Sequence, residues 1–539
     1  MQTERPPGPV RIAVVGAGWA GLACAEALTR SSAPGPSASR SSVCRDDLQL
    51  TLIEAAPEPG GRARGINWVP HGWPAASGLP VDNGQHLLIG AYTATQSLLR
   101  QAQAAVSAHR WHQSALAWAI PARRQTPDAS ISDPQNLTDG APSLDRLLHV
   151  PPDAGLLRLL KAGIPGQKNS SLHAANWPLS WRWSLAQTIM RAWQAGWTAQ
   201  GSAESWWRQQ DIPVPVYDFF WRPLIEGALN TPMQRASAAV ALRVLKDSLL
   251  GPRHASDTLH PRHNLTEEAI GPIVQMLRSR GVRLVTRCRI TGLTRRTQTP
   301  ATEGWRLAVH ATSQSTAASI GLEDQDFDVV VLALPAAVCR LLTIPVEDSR
   351  LQPTEAATLL KEKQRWNSIE SLGVTTLYAA LTPTQAGQAT LDPAILRPVL
   401  AGQGQVAMII ARPMVAQGQV IAAVASATTK DQHDETLDAL HAALTRTLSP
   451  RIGQEATARL PRRCTHEYAA TWACTADQVD NQRAWGPTAL GPQGLFRAAD
   501  DLTPGYPACI EAAVRSGQMT AGTIQNALTS GVLAVPKGP

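Results

Sequence analysis

The chain has 539 residues, more than one compact core usually holds, so two domains are expected. Its 49 Lys and Arg against 42 Asp and Glu give +7 with no dense basic run, which argues against a nucleic-acid platform and suits an anionic membrane face. Seven scattered cysteines without Cys-x-x-Cys or Cys/His metal spacing, and no uninterrupted apolar stretch of about eighteen residues, argue against a metal centre, a disulfide scaffold and a membrane span.

The first element is a strand from Val10, apolar and β-branched, that stops at Gly16. A Gly16-x-Gly18-x-x-Gly21 turn follows, then an alanine-rich helix. Strand, glycine turn and helix N-terminus together form an anion site, because unpaired N–H groups and the positive end of the helix dipole meet a pyrophosphate. Gly18 lets the backbone approach that group, and Gly21 lets the helix pack close to the strand. A second strand, Leu48 to Ile53, ends in Glu54, an acid placed to accept hydrogen bonds from ribose hydroxyls. Residues 31–47, rich in Ser, Pro and Arg, read as a surface loop inserted between them. The N-terminus runs into the first strand with no apolar signal region, and a reducing cytoplasm fits the cysteine usage.

Gly60-Gly61-Arg62 comes next, a turn whose backbone can touch a ligand while the guanidinium meets phosphate or flavin oxygens. Strand, glycine turn, Glu54 and Gly60-Gly61-Arg62 resemble the flavin-dependent amine oxidase and carotenoid desaturase superfamily. The run Val81-Asp-Asn-Gly-Gln-His-Leu-Leu-Ile-Gly-Ala-Tyr92 is similar to a narrower branch, the hydroxysqualene dehydroxylases, and so are Phe220 to Leu224 and Ala228 to Thr231.

Further along, Trp181, Leu185, Ile189, Trp193 and Trp197 recur every four residues, which suggests a helix with these side chains roughly along one face. Eight of the seventeen Trp fall between Trp177 and Trp221, so this helix reads either as substrate-domain core or as an apolar channel or membrane-facing surface. Leu265 to Arg280 reads as a helix, Gly281 to Ile290 as a strand returning to the nucleotide domain, and Asp328 to Leu334 as a buried parallel strand. Val420 to Thr428 is an apolar strand candidate. Leu495 to Asp500, then Gly505 to Gly517, resemble the superfamily's C-terminal cofactor motif, although Ala499 and Ala512 stand where glycine is common.

The resemblance implies an α/β fold, a Rossmann-like FAD-binding domain interleaved with an α+β substrate-binding domain. The FAD-binding segments fall at 1–100, 256–345 and 456–530, with substrate segments at 101–255 and 346–455. It places FAD against Gly16, Ala17, Gly18, Trp19, Ala20, Gly21, Glu54, Ala55, Gly61, Arg62, Ile290, Asp500, Cys509 and Ile510. Ile290 is the match for a backbone contact to adenine, and the last helix would point its N-terminus at the flavin.

The reaction implied is loss of the hydroxyl of hydroxysqualene, with hydride from reduced FAD, giving squalene in bacterial hopanoid synthesis. Asp82 and His86 are the candidates for the acid that protonates the leaving oxygen. Each has a structural reading as well, Asp82 capping the Asn83-Gly84 turn and His86 bonding backbone. No second Gly-x-Gly-x-x-Gly occurs, so the electron donor is external. Moving a thirty-carbon hydrocarbon through water costs on the order of 20 kcal/mol, which predicts peripheral docking at the inner face of the membrane. A carotenoid desaturase, an amine oxidase and a non-catalytic prenyl carrier are the alternatives.

Overall fold

Val-Arg-Ile-Ala-Val-Val contains one polar side chain in six, the pattern of a strand covered on both faces. In the computed structural model it forms β1 (Val10–Val15), the middle of a five-stranded parallel sheet. The order is Arg283–Val285, β2 (Leu48–Ile53), β1, Val329–Leu332, Leu495–Arg497. The structure describes residues 9–30, 48–120, 146–149, 178–297, 303–311, 321–346, 351–400, 406–484, 490 and 493–533. The inserted loop at 31–47 and Trp177 lie outside them.

Register brings the carboxyl ends of the strands level: Val15 lies beside both Ile53 and Leu332, and Ile53 beside Val285. Ligands of open parallel sheets bind off such ends. α1 (Trp19–Thr29) covers one face and crosses the C-terminal helix Ile510–Thr529 at Gly517, where a methyl group would stand 2.2 Å from the Ala20 carbonyl oxygen. On the other face a three-stranded antiparallel sheet, Cys288–Thr297, Glu303–Ala311 and Asp326–Phe327, packs Trp305 and Phe327 against Val15 and Ile53.

A seven-stranded sheet forms the second half, ordered Arg462–Trp472, Ser371–Leu381, Gln419–Thr428, Val406–Ala411, Ile395–Leu400, Ala117–Ile120, Arg146–His149. Its two faces alternate along Ser371–Leu381, as strand geometry requires. Leu377, Ala379 and Leu381 pack under helix His433–Ile452, while Tyr378 and Ala380 face the helices that carry the tryptophans.

The sheets divide the chain differently from the expected segments. Helix Pro353–Ser368 puts Leu359 and Trp366 into the core behind β1 and β2, so the nucleotide side extends past residue 345. Trp111 packs in the α1 core, beyond the expected limit at 100. Strand Arg462–Trp472 is an edge of the seven-stranded sheet and Val479 packs in the tryptophan core, so the last nucleotide segment begins near Leu490 rather than at 456.

Three elements depart from their expected form. Gly281 to Ile290 is two strands, because Arg287 turns the chain at φ 56° between Arg283–Val285 and Cys288–Thr297. The helix from Leu265 opens as a π turn, Thr266–Ile270, ahead of Pro272, which has no N–H for the regular ladder. The tryptophan stretch forms helix Leu179–Gln194, but a four-residue step drifts about 40° on a helix of 3.6 residues per turn, so the five side chains do not share a face. Leu185 and Ile189 are buried, Trp193 is 51% exposed, and Trp197 sits past the helix end in a left-handed turn. Among the described residues no helix is long and apolar enough to cross a membrane.

Candidate active site

The glycine turn between β1 and α1 is dictated by contact. Gly16 has φ +104°, and a Cβ there would stand 2.4 Å from the Ala333 carbonyl oxygen. A Cβ at Gly21 would stand 2.0 Å from the Gly16 carbonyl oxygen. Gly18 differs: the nearest atom to its Cβ position is Gly61 Cα at 3.9 Å. As N-cap of α1 it offers no side chain to the first-turn N–H groups, which keeps them and the helix dipole available to a diphosphate.

The second glycine turn closes on the first. Gly60 N–H donates to the Ala17 carbonyl oxygen at 2.8 Å, and Gly61, at φ +62°, brings its backbone against Gly18. Trp19 Nε1 donates to the Ala63 carbonyl oxygen at 3.1 Å, tying α1 to the same turn. Ala20 is buried at the helix crossing, so it holds the cradle rather than lining it.

Glu54 braces the cradle from behind. Its carboxylate accepts from Ala17 N–H at 2.9 Å and Ala56 N–H at 2.8 Å, with exposed Ala55 between. Each oxygen has a second lone pair for a ribose hydroxyl. Its main chain bonds Val285 and Cys288. Ile290 does not adjoin it: that residue pairs with Val309 in the antiparallel sheet, its side chain in the core, because the turn at Arg287 carries the chain away from Glu54. Cys288 is the residue of that strand whose backbone meets Glu54.

Arg62 and Asp500, 438 residues apart, meet: Nη2 lies 3.2 Å from Asp500 Oδ1, while Nη1 donates to the Ala470 carbonyl oxygen. The guanidinium thus joins the glycine turn, the edge of the seven-stranded sheet and the C-terminal motif at one point. Ala499 and Ala512 fit without displacement, with Ala499 N–H donating to Ser516 Oγ at 3.0 Å and the Ala512 carbonyl accepting from Thr503 Oγ1 at 2.7 Å. Cys509 caps the last helix, accepting from Ala512 N–H at 3.4 Å, and burial pushes its thiol up to about 12, so it stays neutral. Cys509 and Ile510 both face the cavity described below.

Sequence reasoning has no purchase on Glu511, whose partners are remote. It is fully buried and accepts from Ala94 N–H, Thr95 N–H and Thr95 Oγ1 at 2.7–2.9 Å, capping helix Thr93–Gln101. Asn230 belongs to the Ala228 to Thr231 run, though its partners are remote: at φ +46° it ends helix Arg222–Leu229, donates to Thr471 Oγ1 and accepts from Ala427 N–H, fastening the cavity wall to the sheet.

Asp82 is not placed to donate a proton. Its Oδ1 accepts from Leu265 N–H at 2.8 Å, its Oδ2 pairs with Arg412 at 2.8 Å, and it has no exposed surface. Arg412 also donates to Gln85 Oε1 and the His263 carbonyl oxygen. Such a buried ion pair fixes the two halves relative to each other, and the acid role for Asp82 is withdrawn.

His86 lines the cavity. Its Nδ1 lies 2.9 Å from the Gly84 carbonyl oxygen, an acceptor only, so Nδ1 carries the hydrogen and Nε2 is the acceptor in the neutral ring. Burial lowers its pKa; the Asp82 charge and the Gly84 bond oppose this, and Arg62 and Arg412 add to it.

The cavity has a volume of about 510 Å³ and reaches from His86, Cys509 and Ile510 to the tryptophan helices. Leu185, Ile189, Trp118, Phe220 and Trp221 supply apolar wall, with Trp118 and Phe220 edge-on at 5.5 Å. Its carboxylates among the described residues, Glu226 and Asp247, are each paired one helical turn away, with Arg222 at 3.2 Å and Arg243 at 2.8 Å.

The same architecture occurs in solved structures. An oxidoreductase from Methanosarcina mazei superposes with a TM-score of 0.61 at 12% identity, covering 95% of this chain and 100% of that one. Putrescine oxidase bound to putrescine gives 0.54 at 15% identity, covering 96% and 99%. Cyclohexylamine oxidase from Brevibacterium oxydans IH-35A gives 0.55 at 13% identity, covering 96% and 99%. Comparison with curated protein sequences returns no match. The sequence profile of the flavin-containing amine oxidoreductases matches residues 19–525, a span that begins just after Gly18 and includes Gly21, Glu54, the Gly60-Gly61 turn, the Arg62–Asp500 pair and the cavity wall. The chain belongs to that family and is an FAD-dependent oxidoreductase.

Proposed function

We propose that this flavoenzyme reduces a long neutral isoprenoid, removing the hydroxyl of hydroxysqualene to give squalene. One observation carries the reading: the cavity that reaches Cys509 and Ile510 has a continuous aliphatic and aromatic wall from Leu185, Ile189, Trp118, Phe220 and Trp221, and its carboxylates among the described residues are each paired with an arginine that also lines it. Putrescine oxidase is named for an amine substrate, and an ammonium is favoured by an unneutralised anion, whereas each of these carboxylates already has an arginine as its counter-charge. A thirty-carbon polyene needs a dry apolar wall, which these residues supply.

FAD, when bound, supplies hydride to the carbon that loses oxygen. The protein must bring a proton to the leaving hydroxyl, so that alcohol, proton and hydride become hydrocarbon and water. We assign this role to His86, because it lines the cavity and the Gly84 carbonyl takes its Nδ1–H, leaving Nε2 to carry the transferable proton. The apolar wall excludes water that would otherwise capture the cation left when the hydroxyl departs. An external donor restores the reduced cofactor.

The test is an anaerobic single turnover: the holoenzyme is reduced with dithionite, mixed with hydroxysqualene in detergent, and followed by flavin absorbance and product analysis. Reoxidation matched mole for mole by squalene supports the reading. The acid form of His86 is required, so the rate falls as pH rises through its lowered pKa. Reoxidation without squalene, or peroxide released on adding an amine under air, overturns it in favour of an oxidative enzyme.

A further inference from the structure

Helix Leu179–Gln194 has a second apolar face. With about 100° between successive residues, Leu179, Trp183, Ala186, Met190 and Trp193 fall within an arc of about 80°. That arc lies opposite Ser184, Leu185, Thr188, Ile189 and Ala192, the buried side. Leu179 is 62% exposed, Trp183 64% and Trp193 51%, and among the described residues these two are the tryptophans that stand farthest into solvent.

The charges on the helix are one-sided. Its sixteen residues contain no Asp or Glu, and the two ionisable side chains are Arg182 and Arg191. On the same wheel Arg182 borders the outer arc about 20° beyond Trp193. On the other side Gln194, Gln187 and Ser180 come first, and the exposed Arg191 lies about 80° beyond Trp183. A helix with indoles and aliphatic groups on its outer face, a cation on one border, glutamines and a second, more distant cation on the other, and no acid has the composition of one lying in the plane of a bilayer surface. Indoles favour the lipid–water boundary, and each arginine near an anionic surface adds attraction.

The inner face gives that placement a use. Leu185 and Ile189 line the cavity, so this one helix is the wall between it and the outer apolar stripe. We propose that helix Leu179–Gln194 docks this enzyme on anionic lipid bilayers, seating Trp183 and Trp193 among the headgroups and setting the cavity wall against the membrane that stores its substrate. The docking surface follows from the helix alone; its use in substrate transfer rests on the isoprenoid reading above.

The test is co-sedimentation of the full-length holoenzyme with sucrose-loaded vesicles of phosphatidylcholine, with and without phosphatidylglycerol, no substrate present. Binding is expected with phosphatidylglycerol and weakens with salt. The double variant Trp183→Ser/Trp193→Ser should lose about tenfold or more in partitioning, at unchanged flavin content and unchanged turnover in detergent. Partitioning equal to the parent, or none by the parent, overturns the proposal. A concentration-dependent dimer that the double variant dissolves also overturns it, assigning the face to a second copy. Vesicle binding with no turnover of hydroxysqualene in detergent leaves docking intact and sinks the substrate reading instead.

Discussion

At Gly21 one methyl group would land 2.0 Å from a carbonyl oxygen, whereas Leu185 shares its burial with Ile189, Phe220, Trp221 and the sheet beneath them. The cofactor cradle is held by contacts between backbones, which only particular residues permit. The cavity wall is held by summed apolar burial, which many combinations of similar volume satisfy. Backbone contacts leave a spelling in the sequence, and summed burial leaves only a composition. That is why the cradle residues can be named from a short motif while the cavity shows itself as an excess of tryptophan.

The largest effect expected tests whether the cradle glycines really differ in kind. Gly21→Val drives a side chain into backbone and should yield no folded protein. Gly18→Val puts its Cβ in ordinary contact with Gly61 Cα at 3.9 Å, with no clash into backbone, and should fold, melting close to the parent but purifying without the flavin absorbance. The measurement is the ratio of visible to protein absorbance beside a thermal melt. Two folded proteins, or two unfolded ones, would erase the distinction between a packing glycine and a ligand glycine.

Next in size is the pair that joins the two regions. Arg412→Met leaves Asp82 buried without its cation and should cost about 3–5 kcal/mol in urea denaturation. Asp82→Asn keeps the shape and the acceptor for Leu265 N–H, and turnover per folded molecule should persist. A well-folded Asp82→Asn protein without turnover would return Asp82 to the chemistry.

A smaller, pH-dependent effect belongs to the wall behind the pair. His260 is buried with neither ring nitrogen partnered among the described residues, and burial, reinforced by Arg412 and His112, lowers its pKa to about 3. The unfolded chain takes up a proton near pH 6.5 that the folded chain refuses until about 3. Stability therefore declines as pH falls through that window, by up to about 1.4 kcal/mol per unit from this one group. His260→Leu should flatten that limb of the melting-temperature profile, and an unchanged slope would place the acid sensitivity elsewhere.

What the sequence displays divides along the same line. Gly16, Gly18, Gly61 and Glu54 are legible because their constraint is local: a turn, a helix start and a strand end within a few residues. Arg62 and Asp500 are legible singly, but their ion pair spans 438 residues and no local pattern announces it. Asp82 carries a misleading local signal, since Asn83-Gly84 suggests a turn cap while Arg412, 330 residues away, takes its charge. The tryptophan helix is legible as a helix, and which of its residues face outward is not, because the four-residue recurrence hides the drift that turns Trp193 out and leaves Trp183, outside the series, unmarked.

The smallest effect tests the cradle where its spelling departs from the family pattern. Ala512, in the first turn of the C-terminal helix, is fully buried, donates to Cys509 Sγ and gives its carbonyl to Thr503. If its methyl group crowded the cofactor, Ala512→Gly would tighten flavin binding. The bonds around it are of ordinary length, so the methyl fills space the fold already provides. Removing it should then cost only the helix preference of alanine over glycine, about 0.5–1 kcal/mol, with flavin affinity unchanged. Flavin titration of the apoprotein beside a urea melt separates the two. A variant that is less stable yet binds flavin as the parent does would show that this position has passed from backbone contact, which dictates a residue, to packing, which only prefers one.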